Sequence, residues 1–358
     1  MRILSLNYET ALGSAVHATP VFSALRKLRP DWEVHVACSG ITQQLLAGNP
    51  GIFKMHVTAH PVKQTWQTAL QFVNIGIQNK FDAVLINTGN TRPKVAWNAR
   101  FVRADKRIGV STGTRFADVC ISKEAGQSVA ANNLLLLKPL IPDIDINVFA
   151  ETFEVYFNKA ARNRALQFRN GSLVKNRPVI GFVTQTSGGQ PSEWWDDRFI
   201  AVASRLRDIT GSLSVFFGTK EEATRVNYIC GSLGQDGISL AGATKVEEIG
   251  AFCAACDLLI SLDSGIMHIG RAIGVPTVVI APAWQPAYEW LPLQQPKIKV
   301  LRRWDIGCRH CLKFNCTTKE CMDEISVDDV VSAGLKHLEL FPPDEAMRRE
   351  RLERWAIY

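Results

Sequence analysis

Short apolar runs alternate with helix-patterned segments along this chain, and this alternation most constrains the fold. In the first half, the pattern predicts buried strands at 3–6, 33–38 and 81–87, with helices at 20–28, 41–46 and 66–77. Consecutive parallel strands need a crossover, which is usually a helix. The sequence therefore predicts an α/β protein built on parallel, doubly wound sheets.

The alternation restarts after a charged segment that ends at Arg177-Pro178. Strands are predicted at 179–183, 213–218, 238–240, 257–261 and 277–280, separated by helices at 197–206, 221–233 and 246–255. A chain of 358 residues can hold two domains of ordinary size. We expect a first domain at 1–165, a second at 176–340, and a C-terminal helix within 341–358. This helix either packs back on the first domain or forms a solvated tail.

The stretch from 261 to 268 combines an acidic residue, a hydroxyl, a glycine and a histidine where a predicted strand gives way to a helix. Free backbone N–H groups at a helix start favour a phosphate. Gly265 allows close backbone approach, Asp263 or Ser264 can cap the helix, and His268 lies one turn inside it. The alternative is an ordinary capped helix with a core histidine.

The formal net charge of +7 favours anionic partners, which include nucleotides, acidic glycolipids and the inner leaflet of a membrane. Charge does not choose among them, but no basic and aromatic constellation typical of nucleic-acid binding occurs, so no nucleic-acid partner is expected. The first residues are too short for a signal peptide core, and no apolar run approaches the roughly 20 residues of a membrane span. We expect a cytoplasmic protein with peripheral contact to the inner membrane.

Three segments, 240–249, 263–268 and 274–277, resemble glycosyltransferase family 9, the ADP-heptose:lipopolysaccharide heptosyltransferases. Residues 13–20, 81–87 and 107–109 are similar to further motifs of that family, so the resemblance runs along most of the chain. It implies a GT-B fold, with two Rossmann-like domains facing a central cleft and the sugar nucleotide held mainly by the second. It also implies an inverting transfer of a heptose, or a similar sugar, from an ADP-sugar to a lipopolysaccharide-type acceptor.

The resemblance assigns the donor pyrophosphate and sugar to Asp263, Ser264, Gly265 and His268. No metal or other cofactor is expected for the transfer, because backbone amides and side chains stabilise the leaving diphosphate. Glu222 matches a ribose-binding position, although a surface helix glutamate is an equal alternative. The remaining predicted donor-binding residues are Gly13, Thr184, Thr186, Ser187 and, at the adenine, Thr244.

Three positions that are charged in the family are neutral in this chain. The aspartate taken as the general base is Ser14, a phosphate-binding lysine is Ser192, and an aspartate after the third predicted strand is Asn87. A serine hydroxyl cannot accept the acceptor's proton near neutral pH. Glu9 and His17 are the substitute candidates, although Glu9 could be a solvated loop carboxylate and His17 could pack beneath the loop. A sugar-nucleotide-binding protein without catalysis is therefore an alternative function.

Four cysteines occur within fourteen residues, namely Cys308, Cys311, Cys316 and Cys321. This density is consistent with a structural zinc or iron site, and disulfides are the competing outcome. The segment resembles one found near the C-termini of many family members, and related protein heptosyltransferases carry iron there, so a protein acceptor stays open. Cys253 and Cys256 fall in an apolar predicted helix and are expected to pack in a core.

Overall fold

Each half of the chain folds around its own parallel sheet. The computed structural model describes residues 1–87, 93–110, 116–186, 192–293, 295–313 and 315–357. It divides into a first unit, Met1–Val155, and a second unit, Tyr156–Tyr358.

In the first unit, the described residues form a six-stranded parallel sheet in the order β3-β2-β1-β4-β5-β6. Its strands are β1 (Arg2–Asn7), β2 (Glu33–Cys38), β3 (Lys54–Val57), β4 (Phe81–Ile86), β5 (Ala104–Val110) and β6 (Val119–Ile121). Its helices are α1 (Leu12–Val16), α2 (Thr19–Leu28), α3 (Ile41–Leu46), α4 (Thr65–Gln78), α5 (Pro93–Ala99), α6 (Val129–Leu134) and α7 (Ile146–Phe149), with a 3₁₀ turn at Leu135–Leu137.

The central strands of this sheet are buried on both faces. Ile3 and Leu85 belong to the apolar core on one side, whereas Leu4 and Val84 belong to the core on the other. Parallel sheets covered by helices on both faces require apolar residues at consecutive positions. This is why these strands appear in the sequence as continuous apolar runs.

In the second unit, the described residues again form a six-stranded parallel sheet, in the order β12-β11-β10-β7-β8-β9. Its strands are β7 (Val179–Val183), β8 (Leu213–Phe217), β9 (Gly237–Ser239), β10 (Leu258–Leu262), β11 (Thr277–Ile280) and β12 (Ile298–Leu301). Its helices are α8 (Lys159–Asn170), α9 (Asp196–Thr210), α10 (Ala223–Leu233), α11 (Val246–Ala254), α12 (Gly265–Ile273), α13 (Ala287–Trp290), α14 (Glu320–Asp323), α15 (Val327–Leu340) and α16 (Glu345–Arg354), with a 3₁₀ turn at Gly234–Asp236. None of the helices described in either unit is long and apolar enough to cross a membrane.

Each sheet has a point at which the direction of strand addition reverses. It lies between β1 and β4 in the first unit and between β7 and β10 in the second. In open α/β sheets, ligands bind outside the carboxyl ends of the strands at such a switch point. The residues that follow β1, β4, β7 and β10 are therefore the first places to look for a site.

The predicted α/β class, with two Rossmann-like, doubly wound domains, is confirmed. The sequence pattern missed β3, β5, β6 and β12, which lie at or next to sheet edges. Edge positions admit polar side chains, and Asp105 and Lys106 in β5 are exposed. Strands of this kind lack the continuous apolar run by which the central strands were predicted.

The boundary between the units, at Val155 and Tyr156, differs from the predicted linker after residue 165. The Phe157 amide donates to the Trp355 carbonyl at 3.0 Å, so the segment before α8 pairs with the C-terminus. Helix α16 lies in the second unit, where Arg348 pairs with Asp257 at 2.5 Å. A contact between segments so distant in sequence leaves no local pattern. Packing of residues 341–358 on the first domain stays a prediction.

Candidate functional site

The chain turns into the interior directly after β1, at the switch point of the first sheet. Tyr8 is buried, and its hydroxyl shares a 2.5 Å hydrogen bond with Thr58 Oγ1. The next residue, Glu9, is only 6% exposed. The interpretation of Glu9 as a solvated loop carboxylate is therefore wrong, because its neighbour Tyr8 anchors the chain on the sheet.

Four polar residues surround the Glu9 carboxylate or extend its network. Asn87 Nδ2, just beyond β4, donates to Glu9 Oε1 at 2.5 Å and to Asn7 Oδ1 at 3.0 Å. Thr42 Oγ1, on α3, lies 3.4 Å from Glu9 Oε2 and donates to the Glu9 carbonyl at 3.0 Å. Asn7 Nδ2 in turn donates to Ser5 Oγ at 2.8 Å. The network links the carboxyl ends of β1 and β4 through Glu9.

Burial raises the pKa of Glu9 to about 7, although hydrogen bonds from its own backbone, Thr42 and Asn87 act in the opposite direction. A carboxyl group that titrates near neutral pH can both take and release a proton under physiological conditions. An aspartate at position 87 would place a second negative charge at hydrogen-bond distance and oppose ionisation of Glu9. The neutral Asn87 instead donates to the carboxylate, so Asn87 and Glu9 form a matched pair.

The other predicted residues of the first unit lie on or next to α1. Gly13 and Ser14 are half-buried within this five-residue helix. His17 is 1% exposed, and its ring packs edge-on against Phe153 with centroids 5.1 Å apart. Its carbonyl accepts a hydrogen bond from Asn133 at 2.9 Å. These contacts favour the packing interpretation of His17, and a role of Gly13 in donor binding stays a prediction.

In the second unit, the opening turn of α12 follows β10 at the switch point of the sheet. Ser264 is the N-cap, and its Oγ accepts from the Met267 amide at 3.4 Å and lies 3.2 Å from Ser261 Oγ. Gly265 and Ile266 are half-buried, whereas the rest of the helix is buried. Backbone N–H groups and the positive end of the helix dipole therefore meet at this point, as predicted for an anion site.

Asp263 and His268 lie side by side at the same helix start. The Asp263 side chain is 9% exposed, its Oδ1 is 3.9 Å from His268 Nε2, and its Oδ2 accepts from Gln285 Nε2 at 3.4 Å. Burial raises the pKa of Asp263 to about 6, with Arg302 and Gln285 opposing. Burial lowers the pKa of His268 to about 3, and Arg271 lowers it further. At neutral pH the pair thus carries one negative charge, on Asp263, beside a neutral imidazole.

Arg302 is a site residue that sequence reasoning missed. It follows β12, is 6% exposed, and donates through Nη2 to the carbonyls of Gln285 at 2.6 Å and Ala283 at 3.2 Å. Its Nε and Nη1 are buried without a hydrogen-bond partner in the described part of the chain. Its charge favours ionisation of Asp263. The available signal was an arginine at the end of a short apolar run, but β12 itself was not predicted.

A hydroxyl-bearing segment follows β7, the other strand at the switch point. Thr184 Oγ1 is fully buried without a partner among the described residues, and the same holds for Ser192 Oγ, where a lysine was expected from the family. Thr186 is half-buried. Ser187 lies outside the described residues. The Thr184 hydroxyl, which can donate and accept a hydrogen bond, therefore lies close to the carboxyl end of β7.

Glu222 lies beyond β8, one strand from the switch point, and is the N-cap residue of α10. Its Oε2 accepts from the Thr219 amide at 2.7 Å. Gln185, with its amide nitrogen toward Glu222, donates to Oε1 at 2.9 Å and accepts from Arg225 Nη1 at 3.1 Å. Glu222 is half-buried at the helix N-cap, and its role at the ribose stays a prediction. The carboxylate is held firmly and keeps lone pairs for further donors.

Thr244 lies in the loop before α11, and this loop is tied to the one after β8. The Gly242 amide donates to the Gly218 carbonyl at 3.1 Å. Gly242 has φ +70°, and a Cβ there would lie 3.1 Å from Lys220 Cα, so the close approach of the two loops requires glycine. Thr244 and Glu222 are thereby carried by adjacent loops at one edge of the second sheet.

Comparison with known proteins identifies the family at this point. The family model for glycosyltransferase family 9 (heptosyltransferase) matches residues 76–322, which is more than half of the chain. The chain belongs to glycosyltransferase family 9. A curated relative, lipopolysaccharide heptosyltransferase 2 of Salmonella typhimurium, is 28% identical over 143 residues, which cover 39% of this chain and 40% of that protein.

Two solved structures share the fold over nearly the whole chain. A glycosyltransferase family 9 protein from Veillonella parvula superposes with a TM-score of 0.81 at 20% identity, covering 95% of this chain and 97% of that one. The ADP-heptose lipopolysaccharide heptosyltransferase II of E. coli superposes with a TM-score of 0.76 at 18% identity, covering 95% and 99%. Both likenesses support the predicted GT-B fold.

Three aromatic side chains follow β11 in the second unit. The Trp290 ring lies 6.4 Å from the His268 ring, between centroids. Trp284 is buried and Tyr288 is 43% exposed. The ring of Trp290 thus lies next to the start of α12, and stacking of these rings on a base or sugar stays a prediction.

The four cysteines of the C-terminal segment differ in their exposure. Cys308 is exposed, Cys311 and Cys316 are half-buried, and Cys321 is buried; all four are free thiols. Within the ranges that the structure describes, no three His, Cys, Asp or Glu side chains are placed to share a metal ion. A structural zinc or iron ion at these cysteines stays a prediction. Cys253 and Cys256 are buried, which confirms their prediction as core residues.

Proposed function

We propose that this protein is an inverting glycosyltransferase that moves a heptose from ADP-heptose to a lipopolysaccharide-type acceptor. The observation that carries the proposal is the α12 helix start beside the charged Asp263, at the switch point of the second sheet. Membership in family 9 supports the reaction class. The names of the Salmonella relative and of the E. coli structure support the donor and acceptor classes.

The charge of each residue in the second unit decides which part of the donor it contacts. Ser264 and the amides of Gly265 and Ile266 hold the diphosphate, because a helix start stabilises an anion. The ionised Asp263 would repel a phosphate, so it accepts hydrogen bonds from sugar hydroxyls. The neutral His268 can donate to a phosphate oxygen without a counter-charge.

The remaining donor contacts follow from the edge of the same sheet. Glu222 accepts from the ribose diol, Thr244 lies at the adenine, and Thr184 offers its buried hydroxyl to a phosphate. Thr186, Ser187 and Gly13 stay proposed contacts of the donor. The transfer itself requires no metal or other cofactor in this scheme, because amide and hydroxyl donors stabilise the departing ADP.

In the transfer, an acceptor hydroxyl oxygen forms a bond to the anomeric carbon while the bond from that carbon to the diphosphate oxygen breaks. ADP leaves with the bonding electron pair, and the hydroxyl proton passes to Glu9. We assign the base to Glu9 rather than Ser14, since Glu9 titrates near 7 and a serine hydroxyl does not ionise there. The acceptor is a glycolipid on the inner membrane, which this protein contacts peripherally from the cytoplasm; a protein acceptor is the alternative.

The first test combines donor binding and turnover on the purified protein. ADP and ADP-heptose should each raise the melting temperature by several degrees at concentrations near 100 times Kd, since such occupancy contributes about 2.7 kcal/mol. Heptose-deficient lipopolysaccharide core should then release ADP from ADP-heptose. No thermal shift at millimolar nucleotide would contradict the proposal. Binding without turnover would favour the second candidate, a non-catalytic sugar-nucleotide-binding protein, which the neutral Ser14 and Ser192 suggest.

Substitution of Glu222 tests the proposed ribose contact. Glu222→Gln should weaken ADP binding about tenfold, because hydrogen bonds to a charged acceptor contribute roughly 1.5 kcal/mol or more each, and a neutral amide oxygen replaces only part of that. Titration calorimetry should also show that the variant no longer prefers ADP over 2′-deoxy-ADP. The matched control is Glu221→Gln, an exposed neighbour that should bind like the wild type. Retained preference for the ribose hydroxyl in Glu222→Gln would exclude the contact.

A further inference from the structure

Helix α4 of the first unit has two apolar faces, and one of them is exposed. Phe72 and Ile75 point into the core. Four large apolar side chains form a second line on the opposite face, here termed the α4 stripe: Trp66 (73% exposed), Leu70 (73%), Val73 (39%) and Ile77 (74%). The spacing of four, three and four residues places them along one side of the helix. A surface helix ordinarily carries polar residues there, so the stripe requires a partner of its own.

The stripe is held rigidly by the neighbouring helix α5 and the turn after it. The Trp66 ring meets Trp97 edge-on at 5.2 Å, and Trp97 meets Phe101 at 4.8 Å. A Cβ on Gly76 would lie only 2.6 Å from the Arg103 amide nitrogen, so the helix backbone rests directly on this turn. The exposed apolar surface is thus a preformed feature of the first unit.

Basic side chains border the stripe, and the acids nearest to them, Asp105 and Asp118, pair with Lys80 and Arg107. One concavity of about 680 Å³ brings Lys63 and Lys94 beside Trp66, and a second of about 500 Å³ brings Arg100 and Arg103 beside Ile77. These four cations form no ion pair within the described residues. The sequence from 54 to 80 and from 93 to 104 contains no aspartate or glutamate. The border therefore carries four positive charges that no described ion pair neutralises.

We propose that the α4 stripe and its basic border dock this protein on an anionic lipid bilayer surface. Tryptophan and aliphatic side chains partition into the headgroup region, and each Lys or Arg near an anionic surface adds roughly 1 kcal/mol. A second copy of the chain would set four positive charges against four, which disfavours self-association through this face. The inference rests partly on the proposed function, since a glycolipid acceptor lies on such a surface.

The test is co-sedimentation of the full chain with vesicles. Vesicles of phosphatidylcholine with about one third phosphatidylglycerol should bind the protein, binding should weaken as salt rises, and phosphatidylcholine alone should bind poorly. Trp66→Ser/Leu70→Ser/Ile77→Ser should reduce vesicle binding at least about tenfold. The control Ile209→Ser/Tyr228→Ser replaces two similarly exposed apolar residues of the second unit and should bind like the wild type.

A charge variant separates the electrostatic contribution. Lys94→Ser/Arg100→Ser/Arg103→Ser should lower affinity for the anionic vesicles roughly 100-fold and greatly reduce the salt dependence. Vesicle binding by the stripe variant equal to that of the wild type would overturn the proposal. So would a stripe variant that loses only a concentration-dependent dimer in size-exclusion chromatography. These vesicles contain neither donor nor acceptor, so their failure to bind would leave glycosyl transfer to a soluble acceptor unaffected.

Discussion

Glu9→Gln should lower kcat for glycosyl transfer by about 10³-fold, within the range that general-base catalysis contributes. Glutamine has nearly the same shape and can keep the bond from Asn87 through its carbonyl oxygen, but it cannot accept a proton. Binding of ADP should not change, because the proposed nucleotide contacts belong to the second unit. Steady-state kinetics with heptose-deficient core, together with ADP titration calorimetry, measure both quantities.

The pH dependence of kcat/KM tests the role of Glu9 independently. Since burial raises the pKa of Glu9 to about 7, kcat/KM should rise with pH and reach half its plateau near pH 7. The residual activity of Glu9→Gln should lack this rise. Asn87→Asp should shift the rise to higher pH, because a second carboxylate opposes the ionisation of Glu9.

The raised pKa of Glu9 also has a consequence for stability. The folded value of about 7 exceeds the ordinary value of 4.5, so the folded state holds the proton more tightly. The contribution of this group to stability is full below pH 4.5 and is lost as pH rises through 7. Urea unfolding at pH 8 should therefore find Glu9→Gln more stable than the wild type by up to roughly 3 kcal/mol.

Ser14→Ala is the control, and it should keep at least half of the wild-type rate. The assignment to Glu9 fails if Ser14→Ala loses activity while Glu9→Gln retains it. Circular dichroism shows whether Glu9→Gln is folded. If the variant is folded but inactive, the loss of activity is catalytic and does not come from misfolding.

The central strands were predictable because both of their faces are buried. In β1 and β4, consecutive residues pack into opposite cores, and this leaves a continuous apolar run in the sequence. The loop residues that matter for chemistry had no such signal. Glu9 lies next to polar residues in the sequence, and its burial follows from Tyr8, Thr42 and Asn87, two of which are distant along the chain.

The buried face of helix α4 could not be predicted from the sequence. Its apolar residues fall on two faces, and the sequence pattern alone cannot tell which face contacts the sheet. The structure buries Phe72 and exposes Leu70, because residues from the strands and α5 cover only one side. Arg302 is a similar case, since its position beside Asp263 depends on a strand that the sequence pattern did not predict.

Residues 263–268 start a helix after a strand, as predicted, but the charge of Asp263 was not predictable from the sequence. Position 263 was expected to help hold the pyrophosphate. The structure gives it a buried carboxylate that Arg302 keeps ionised near neutral pH, next to a histidine that is neutral there. A negative charge beside a diphosphate is unfavourable unless it serves another part of the donor.

Asp263→Asn should therefore affect the binding of ADP-heptose and of ADP differently. A residue that contacts the diphosphate would affect both equally. If two sugar hydroxyls donate to this carboxylate, its loss should weaken ADP-heptose binding about 100-fold, since charged hydrogen bonds contribute roughly 1.5 kcal/mol each. ADP, which lacks the sugar, should bind the variant at least as tightly as the wild type, because a repulsive charge has been removed. Calorimetric titrations with ADP and with ADP-heptose give the two affinities.

The matched variant is Ser264→Ala, which removes the N-cap hydroxyl beside the same helix start and should weaken ADP and ADP-heptose alike. Protonation should mimic the Asn substitution: as pH falls through about 6, the wild type should lose its preference for ADP-heptose over ADP, whereas Asp263→Asn should show no such change. If Asp263→Asn loses equal affinity for ADP and for ADP-heptose, Asp263 contacts the diphosphate and not the sugar. In that case Arg302 would have to offset the repulsion between the Asp263 carboxylate and the diphosphate. Arg302→Met would then weaken ADP binding more than Asp263→Asn does.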